Sequence, residues 1–146
     1  MRTKVFLDTN VLLECFVPHR RSYYADTILT AAKNHILEAQ VSTQSIIDAG
    51  YISRKAGVDR RDFAAFVQEL EHYVNIGYVD SFDLDFALKE SARNLEDNAQ
   101  FSCAYRSVCD YFITNDKGLL ERPENANLKV ITPADFVAAM QPEEPE

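Results

Sequence analysis

Apolar positions recur along this chain in two rhythms, short runs and longer helical stripes. Thr3–Leu7 reads as a buried first strand, and Ile36–Ser42 as a second, with Leu37, Ala39 and Val41 alternating. Tyr78–Asp80, Tyr111–Thr114 and Lys129–Ile131 supply three more short strands. Between them, Tyr24, Ile28 and Ala31 repeat at helical spacing after an interruption from Pro18 to Ser22. Ser42 or Thr43 caps a helix that runs through Ile46, Ile47 and Tyr51 to about Ala56, and Gly57 ends it. Asp59 starts the next helix, where Phe63, Phe66, Val67, Leu70 and Val74 form the strongest amphipathic stripe; Gly77 is expected to close it. Leu84, Leu88, Ser91 and Leu95 mark another helix, and Asp97–Ser107 a further one with Phe101, Ala104 and Val108 on one face. Thr132-Pro133 places an N-cap and a first-turn proline ahead of a last helix toward Met140. Strands alternating with helices predict an α/β fold with a mostly parallel sheet of about five strands.

Length and composition narrow the class. A chain of 146 residues fits one domain, and a domain near this size buries roughly 70% of the surface it exposes when unfolded. With 47% hydrophobic residues the composition is globular. Residues 1–140 are read as one domain, and the acidic end Pro142-Glu143-Glu144-Pro145-Glu146, within 141–146, as a disordered tail. No apolar run reaches the ~20 residues of a membrane span, and the N-terminal run stops at Asp8, short of a signal sequence. A cytoplasmic location without membrane association is expected. Cys15, Cys103 and Cys109 are odd in number and scattered, as are His19, His35 and His72; neither a disulfide framework nor a zinc site is indicated.

A net charge of −8 weighs against a nucleic-acid partner at first sight. Part of that excess sits in the tail, and carboxylates that bind a cation are neutralised by it. Arg54, Lys55, Arg60 and Arg61 are the densest basic group, readable as a solvated helix end or as a phosphate track.

The acids hold the candidate chemistry. In an open α/β sheet, function gathers at the carboxyl ends of the strands. Asp8 directly follows Val5-Phe6-Leu7, with Asn10 nearby; Asp116 closes Phe112-Ile113-Thr114-Asn115. Each alone also reads as a turn former or cap. Asp97 stands at the start of its helix, where a cap is again the plain reading. Asp48 lies mid-helix beside Ile46, Ile47 and Ala49, where a carboxylate is costly unless paired or bound to a cation. Acids without histidine or cysteine suit Mg2+ or Mn2+ rather than zinc, and such sites serve phosphoryl chemistry.

At these positions the sequence resembles the PIN-domain family, which includes the VapC toxins of toxin–antitoxin pairs. Val5-Phe6-Leu7-Asp8-Thr9-Asn10-Val11-Leu12-Leu13 resembles the family's first motif, Leu95-Glu96-Asp97-Asn98-Ala99-Gln100 its third-acid motif, and Asp110-Tyr111-Phe112-Ile113-Thr114-Asn115-Asp116 its closing strand motif. The resemblance spans residues 3–140. It implies a three-layer α/β/α domain and a ribonuclease that hydrolyses RNA to 5′-phosphate and 3′-hydroxyl ends. It implies catalytic roles for Asp8, Asp48, Asp97 and Asp116, metal contacts from Asp8, Asp97 and Asp116, and supporting roles for Asn10 and Thr114. It also implies an RNA substrate, homodimers, and a small antitoxin that blocks the pocket with a basic side chain. The family's second acid is usually glutamate; Asp48 is one methylene shorter, which implies contact with the metal through water. Glu96 is expected to point away from the pocket. Two alternatives accompany this reading. A phosphatase of the haloacid-dehalogenase type also begins strand-Asp, but wants an acid where Asn10 stands. A PIN-like module that binds RNA or protein without cutting is the other.

Overall fold

A computed structural model of the chain describes residues 2–90, 94–122 and 127–140. The tail at 141–146 lies outside the described residues. Five strands, β1 (Lys4–Leu7), β2 (Glu38–Ser42), β3 (Val74–Gly77), β4 (Tyr111–Ile113) and β5 (Lys129–Ile131), form one sheet in the order β3-β2-β1-β4-β5. Every neighbouring pair is parallel. Parallel strands need crossover connections, and helices supply them: α1 (Thr9–Glu14), α2 (Tyr23–Lys33), α3 (Thr43–Lys55), α4 (Arg60–Leu70), α5 (Ser81–Lys89), α6 (Leu95–Arg106), α7 (Lys117–Leu120) and α8 (Pro133–Met140).

Strand alternation divides the core in two. Val5, Leu7, Ala39, Val41, Val74 and Ile113 pack with apolar residues of α1, α2, α3, α4 and α8. Phe6 and Phe112 stack at 5.1 Å between ring centroids and pack instead with Phe101, Cys103 and Ala104 of α6 and Leu119 of α7. Helices therefore cover both faces, as a buried parallel sheet requires. The three cysteines are free and buried, and no helix among the described residues is long and apolar enough to cross a membrane.

Several local expectations give way to packing. The third strand is Val74–Gly77, not Tyr78–Asp80. α4 stops at Leu70, and Val74, read as the last member of its stripe, pairs with Ala39 instead. β-branched Val74 and Ile76 suit a pleated ladder better than a helix end. Gly77 does not end a helix. A Cβ there would lie 2.7 Å from Gln40 Nε2, which donates to Ser107 Oγ at 2.9 Å, so glycine admits that side chain. Asp80, placed in a strand by pattern, caps α5 by accepting from the Phe82 and Asp83 amides. The expected stripe Leu84–Leu95 also breaks up: Leu84 and Leu88 are exposed, Ser91 lies outside the described residues, and Leu95 begins α6. α5 turns Asp83 and Ala87 inward instead, and Asp83 is held by Arg106 at 2.8 Å and by the Ser102 hydroxyl at 2.8 Å. Val108, expected on the apolar face of the Asp97 helix, is 79% exposed, beyond the end of α6.

Leaving β1, the chain moves outward through β2 and β3 on one side. It then crosses to β4 and β5 on the other. The strand order reverses between β1 and β4, and a crevice opens at their carboxyl ends, where such sheets bind ligands.

Candidate active site

Asp8 and Asp116 stand on either side of that reversal. The Asp8 amide donates to the Ile113 carbonyl at 3.0 Å, continuing the β1–β4 ladder into the loop. Its carboxylate caps α1, accepting from the Thr9 amide at 2.8 Å, and its second oxygen accepts the Thr114 hydroxyl at 2.7 Å. Thr114 is fully buried, and its Oγ1 in turn accepts the Asp116 amide at 2.9 Å. One hydroxyl thereby fixes the spacing of two acids from neighbouring strands. Asp116 caps α7 through the Gly118 amide at 3.2 Å. These aspartates are caps as well as members of the pocket, so the plain and functional readings hold together.

The third and fourth acids come from α6 and α3. Asn94 caps α6 by accepting from the Glu96 and Asp97 amides, which sets both acids on its first turn. Asp48 accepts from Gln44 Nε2 at 3.1 Å through Oδ1; its Oδ2 is buried with no donor. Asp8, Asn10, Asp48, Glu96, Asp97 and Asp116 share a cavity of about 390 Å3 with Thr9, Tyr51, Ile52 and Asn94. The sequence-derived set thus comes together, and so does the exposed Asn10. Glu96 does not point away. Placed one residue before Asp97 on the first turn of α6, it still lines the pocket, which Asp48 enters from α3.

Electrostatics divides the acids into pairs. Burial and hydrogen bonding to Asp116, with repulsion from Asp116 and Asp8, push the Asp97 carboxyl up to about 7. The hydrogen bond to Asp48 is the first cause that carries Glu96 to about 7, followed by burial and by repulsion from Asp48, Asp97 and Asp8. A carboxyl can donate only when protonated. A hydrogen bond between Glu96 and Asp48 therefore requires a proton on one of the two carboxyls. Burial raises Asp8 too, opposed by its bonds from Thr114 and Thr9.

A polar cluster lies behind the acids. Gln100, almost fully buried, accepts at Oε1 from Ser42 Oγ at 2.8 Å and Ser45 Oγ at 3.0 Å, while its Nε2 donates to Ser45 Oγ at 2.8 Å. Ser45 also receives the Thr9 hydroxyl at 3.1 Å. This cluster ties α6 to α3 and α1, the three helices that bring Asp97, Asp48 and Thr9 to the pocket. Gln100 falls one turn after Asp97, and a glutamine between Ala99 and Phe101 was the available signal.

The expected phosphate track lies outside the cavity walls. Arg54 and Lys55 occupy the last turn of α3, and Arg60 and Arg61 the first turn of α4; all four are exposed. Lys55 links back to the pocket, since its Nζ lies 4.7 Å from the centroid of the Tyr51 ring.

The donor set tests what ion could be held. It is wholly oxygen, it contains an orphaned buried carboxylate oxygen, and it carries more negative charge than neighbouring cations offset. It fits a hard divalent cation. Among the described residues no three acids, histidines or cysteines close around one point.

Comparison with known proteins follows the same lines. Residues 4–118 match the family model described as PIN domain. The chain is similar to Ribonuclease VapC1 of Aquifex aeolicus (strain VF5), 25% identical over 142 residues that cover 91% of this chain and 92% of that protein. Among solved structures it is similar to VapBC2 from Rickettsia felis bound to a promoter DNA fragment, with TM-score 0.64 and 17% identity over 89% of this chain and 98% of that one. A toxin–antitoxin complex from Klebsiella pneumoniae aligns with TM-score 0.65 and 18% identity, covering 88% and 97%. VapC20 of Mycobacterium tuberculosis, described as a sarcin-ricin loop cleaving toxin, aligns with TM-score 0.59 and 14% identity, covering 97% and 99%.

Proposed function

This chain belongs to the PIN domain family, and from that premise we propose that it is an endoribonuclease that hydrolyses RNA with Mg2+ or Mn2+ held by Asp8, Asp97 and Asp116. The observation that carries the reading is the convergence of Asp8, Asp48, Glu96, Asp97 and Asp116 on one cavity at the sheet's topological reversal. Paired acids in a partly buried pocket are unfavourable unless protons or cations offset them. When bound, a divalent cation supplies positive charge to the phosphate oxygens and lowers the pKa of water.

The chain's own groups have separable tasks. Asp8 is oriented by the Thr9 amide and the Thr114 hydroxyl, so its free lone pairs face the cavity in one fixed direction. Thr114 sets the distance between Asp8 and Asp116. Glu96 lines the pocket beside Asp48 and, in its ionised form, is the group assigned to take up a proton from water. Asp48 acts through Glu96 and through water rather than as a direct ligand. Asn10 at the cavity edge offers an amide to the phosphate, and Arg54, Lys55, Arg60 and Arg61 extend the path for the RNA backbone.

The relatives support the substrate and a partner. One is named a ribonuclease, another is described as a sarcin-ricin loop cleaving toxin, and a third was solved as a toxin–antitoxin complex. We extend to this chain a small antitoxin that covers the acidic pocket with a basic side chain, and assembly as a homodimer. The phosphatase alternative falls with the family assignment, and the position it requires to be acidic is Asn10.

The test is direct. Metal-stripped protein, freed of any bound inhibitor, is incubated with single-stranded RNA and Mg2+ or Mn2+. Cleavage that requires the ion and stops with EDTA is the expected result. No cleavage with either ion would favour the non-cutting RNA- or protein-binding module.

A further inference from the structure

The cavity that contains the acids is larger than an ion needs. At about 390 Å3 it falls among pockets that take small organic ligands, roughly 300–1,000 Å3. Its walls are carboxylates, two asparagines, Thr9, Ile52 and one aromatic ring, Tyr51. That ring is 62% exposed. An aromatic left so open at the edge of a carboxylate-rich pocket has one free face to offer, because Lys55 lies over the other at 4.7 Å.

Asp48, Tyr51 and Lys55 are spaced by three and four residues on α3, so they climb one face of the helix. The ladder runs carboxylate, aromatic, cation over about 10 Å of helix axis. That sequence of groups matches a strand of RNA in its chemistry: an ion-held phosphate, the neighbouring base, and the next phosphate. In a chain of net charge −8, a phosphate beyond the ion must be met by a local cation, and Lys55 is the cation already in contact with the ring.

Building on the ribonuclease reading, we propose that Tyr51 is a stacking platform for one unpaired nucleobase beside the acidic pocket, with Lys55 taking the adjoining phosphate. The site therefore selects single-stranded over duplex RNA, whose bases are stacked on each other and unavailable. Every base has a π-face, so the platform fixes the strand's position rather than its sequence.

The chain contains no tryptophan, so Tyr51→Trp introduces a single indole at the proposed contact. The full-length variant is titrated with decauridylate and with a decamer of the same ribose-phosphate backbone carrying no bases, in Ca2+, with RNA integrity checked on a gel. Quenching of the indole by decauridylate and not by the abasic decamer is expected. In parallel, Tyr51→Ala should weaken decauridylate binding about tenfold and leave the abasic decamer unchanged, while Tyr51→Phe binds like the parent. Equal quenching by both decamers, or parental affinity in Tyr51→Ala, would overturn the proposal. So would indole emission that follows protein concentration alone, which would assign the ring to a contact with a second copy. Cleavage plays no part in the readout. A protein that stacks the base but cuts nothing keeps this inference and loses the ribonuclease reading; one that cuts RNA while Tyr51→Ala binds normally loses only this inference.

Discussion

Replacing Asp97 by Asn removes one charge from the pocket and should stabilise the metal-free protein above neutral pH. Asp97 is raised from its ordinary value of 3.8 to about 7 by burial and by Asp116. Between those limits the folded state holds a proton that the unfolded chain has released. Stability therefore falls as pH rises through that window, and the cost is complete above about 7. At about 1.36 kcal/mol per tenfold change in acidity, the full cost is ~4 kcal/mol. The acid is only partly buried and the cavity is open to water, so screening reduces this to about 1–2 kcal/mol. Asn also forfeits the favourable charge at the start of α6, roughly 0.5 kcal/mol. The net gain for Asp97→Asn at pH 8 is then about 1 kcal/mol, an increase of about 2–4 °C in Tm for a chain near this size. At pH 4, where Asp97 is protonated, the two proteins should melt together. Thermal melts followed by circular dichroism in EDTA, from pH 4 to 8, measure the difference. Added Mn2+ should raise the wild-type Tm at pH 8 and leave the variant nearly unmoved. A variant less stable than wild type at pH 8, or a difference independent of pH, would show that Asp97 serves as a favourable charge in the first turn of α6 and not as one of a set of repelling acids.

Other substitutions separate the roles around the pocket. Asp8→Asn should abolish cleavage yet fold normally, because Asn also caps, whereas Asp8→Ala should cost about 1 kcal/mol more in urea denaturation. Asp48→Asn should slow cleavage less than Asp8→Asn does, and Asp48→Lys should both inactivate and suppress Mn2+ binding by calorimetry; wild-type behaviour of the lysine variant would remove Asp48 from the site. Gln100→Leu leaves the Ser42 and Ser45 hydroxyls without their acceptor and should lower stability by roughly 2 kcal/mol, read from chemical denaturation. Replacing Arg54, Lys55, Arg60 and Arg61 together with Gln should weaken RNA binding and flatten its dependence on salt, and an unchanged slope would exclude them from the RNA path.

Strand-ending acids made the site legible in the sequence. Val5-Phe6-Leu7-Asp8 and Phe112-Ile113-Thr114-Asn115-Asp116 each pair an apolar run with a polar stop, and parallel topology forces both stops to the same edge of the sheet. Asp48 was legible for a different reason, as an acid embedded among apolar neighbours. The third strand was not, because Val74 fits a helical stripe and a β ladder equally well until Ala39 lies beside it. Glu96 escaped because periodicity describes where a side chain leaves its own helix and says nothing of what approaches from another. Gln100 escaped similarly. Its amide is satisfied by hydroxyls from β2, α1 and α3, distant in sequence, and a buried network of that kind exists only once the elements have packed.

Single-turnover cleavage of one end-labelled, single-stranded RNA across a range of Mn2+ concentrations, by wild type and Asp97→Asn side by side, tests the assignment of ribonuclease chemistry to this pocket most directly. The wild type should cut at a rate that saturates with the ion and leaves 5′-phosphate ends, and the variant should lose most of that rate at every concentration. Cleavage by the wild type in EDTA, or an Asp97→Asn curve that overlies it, would contradict the account.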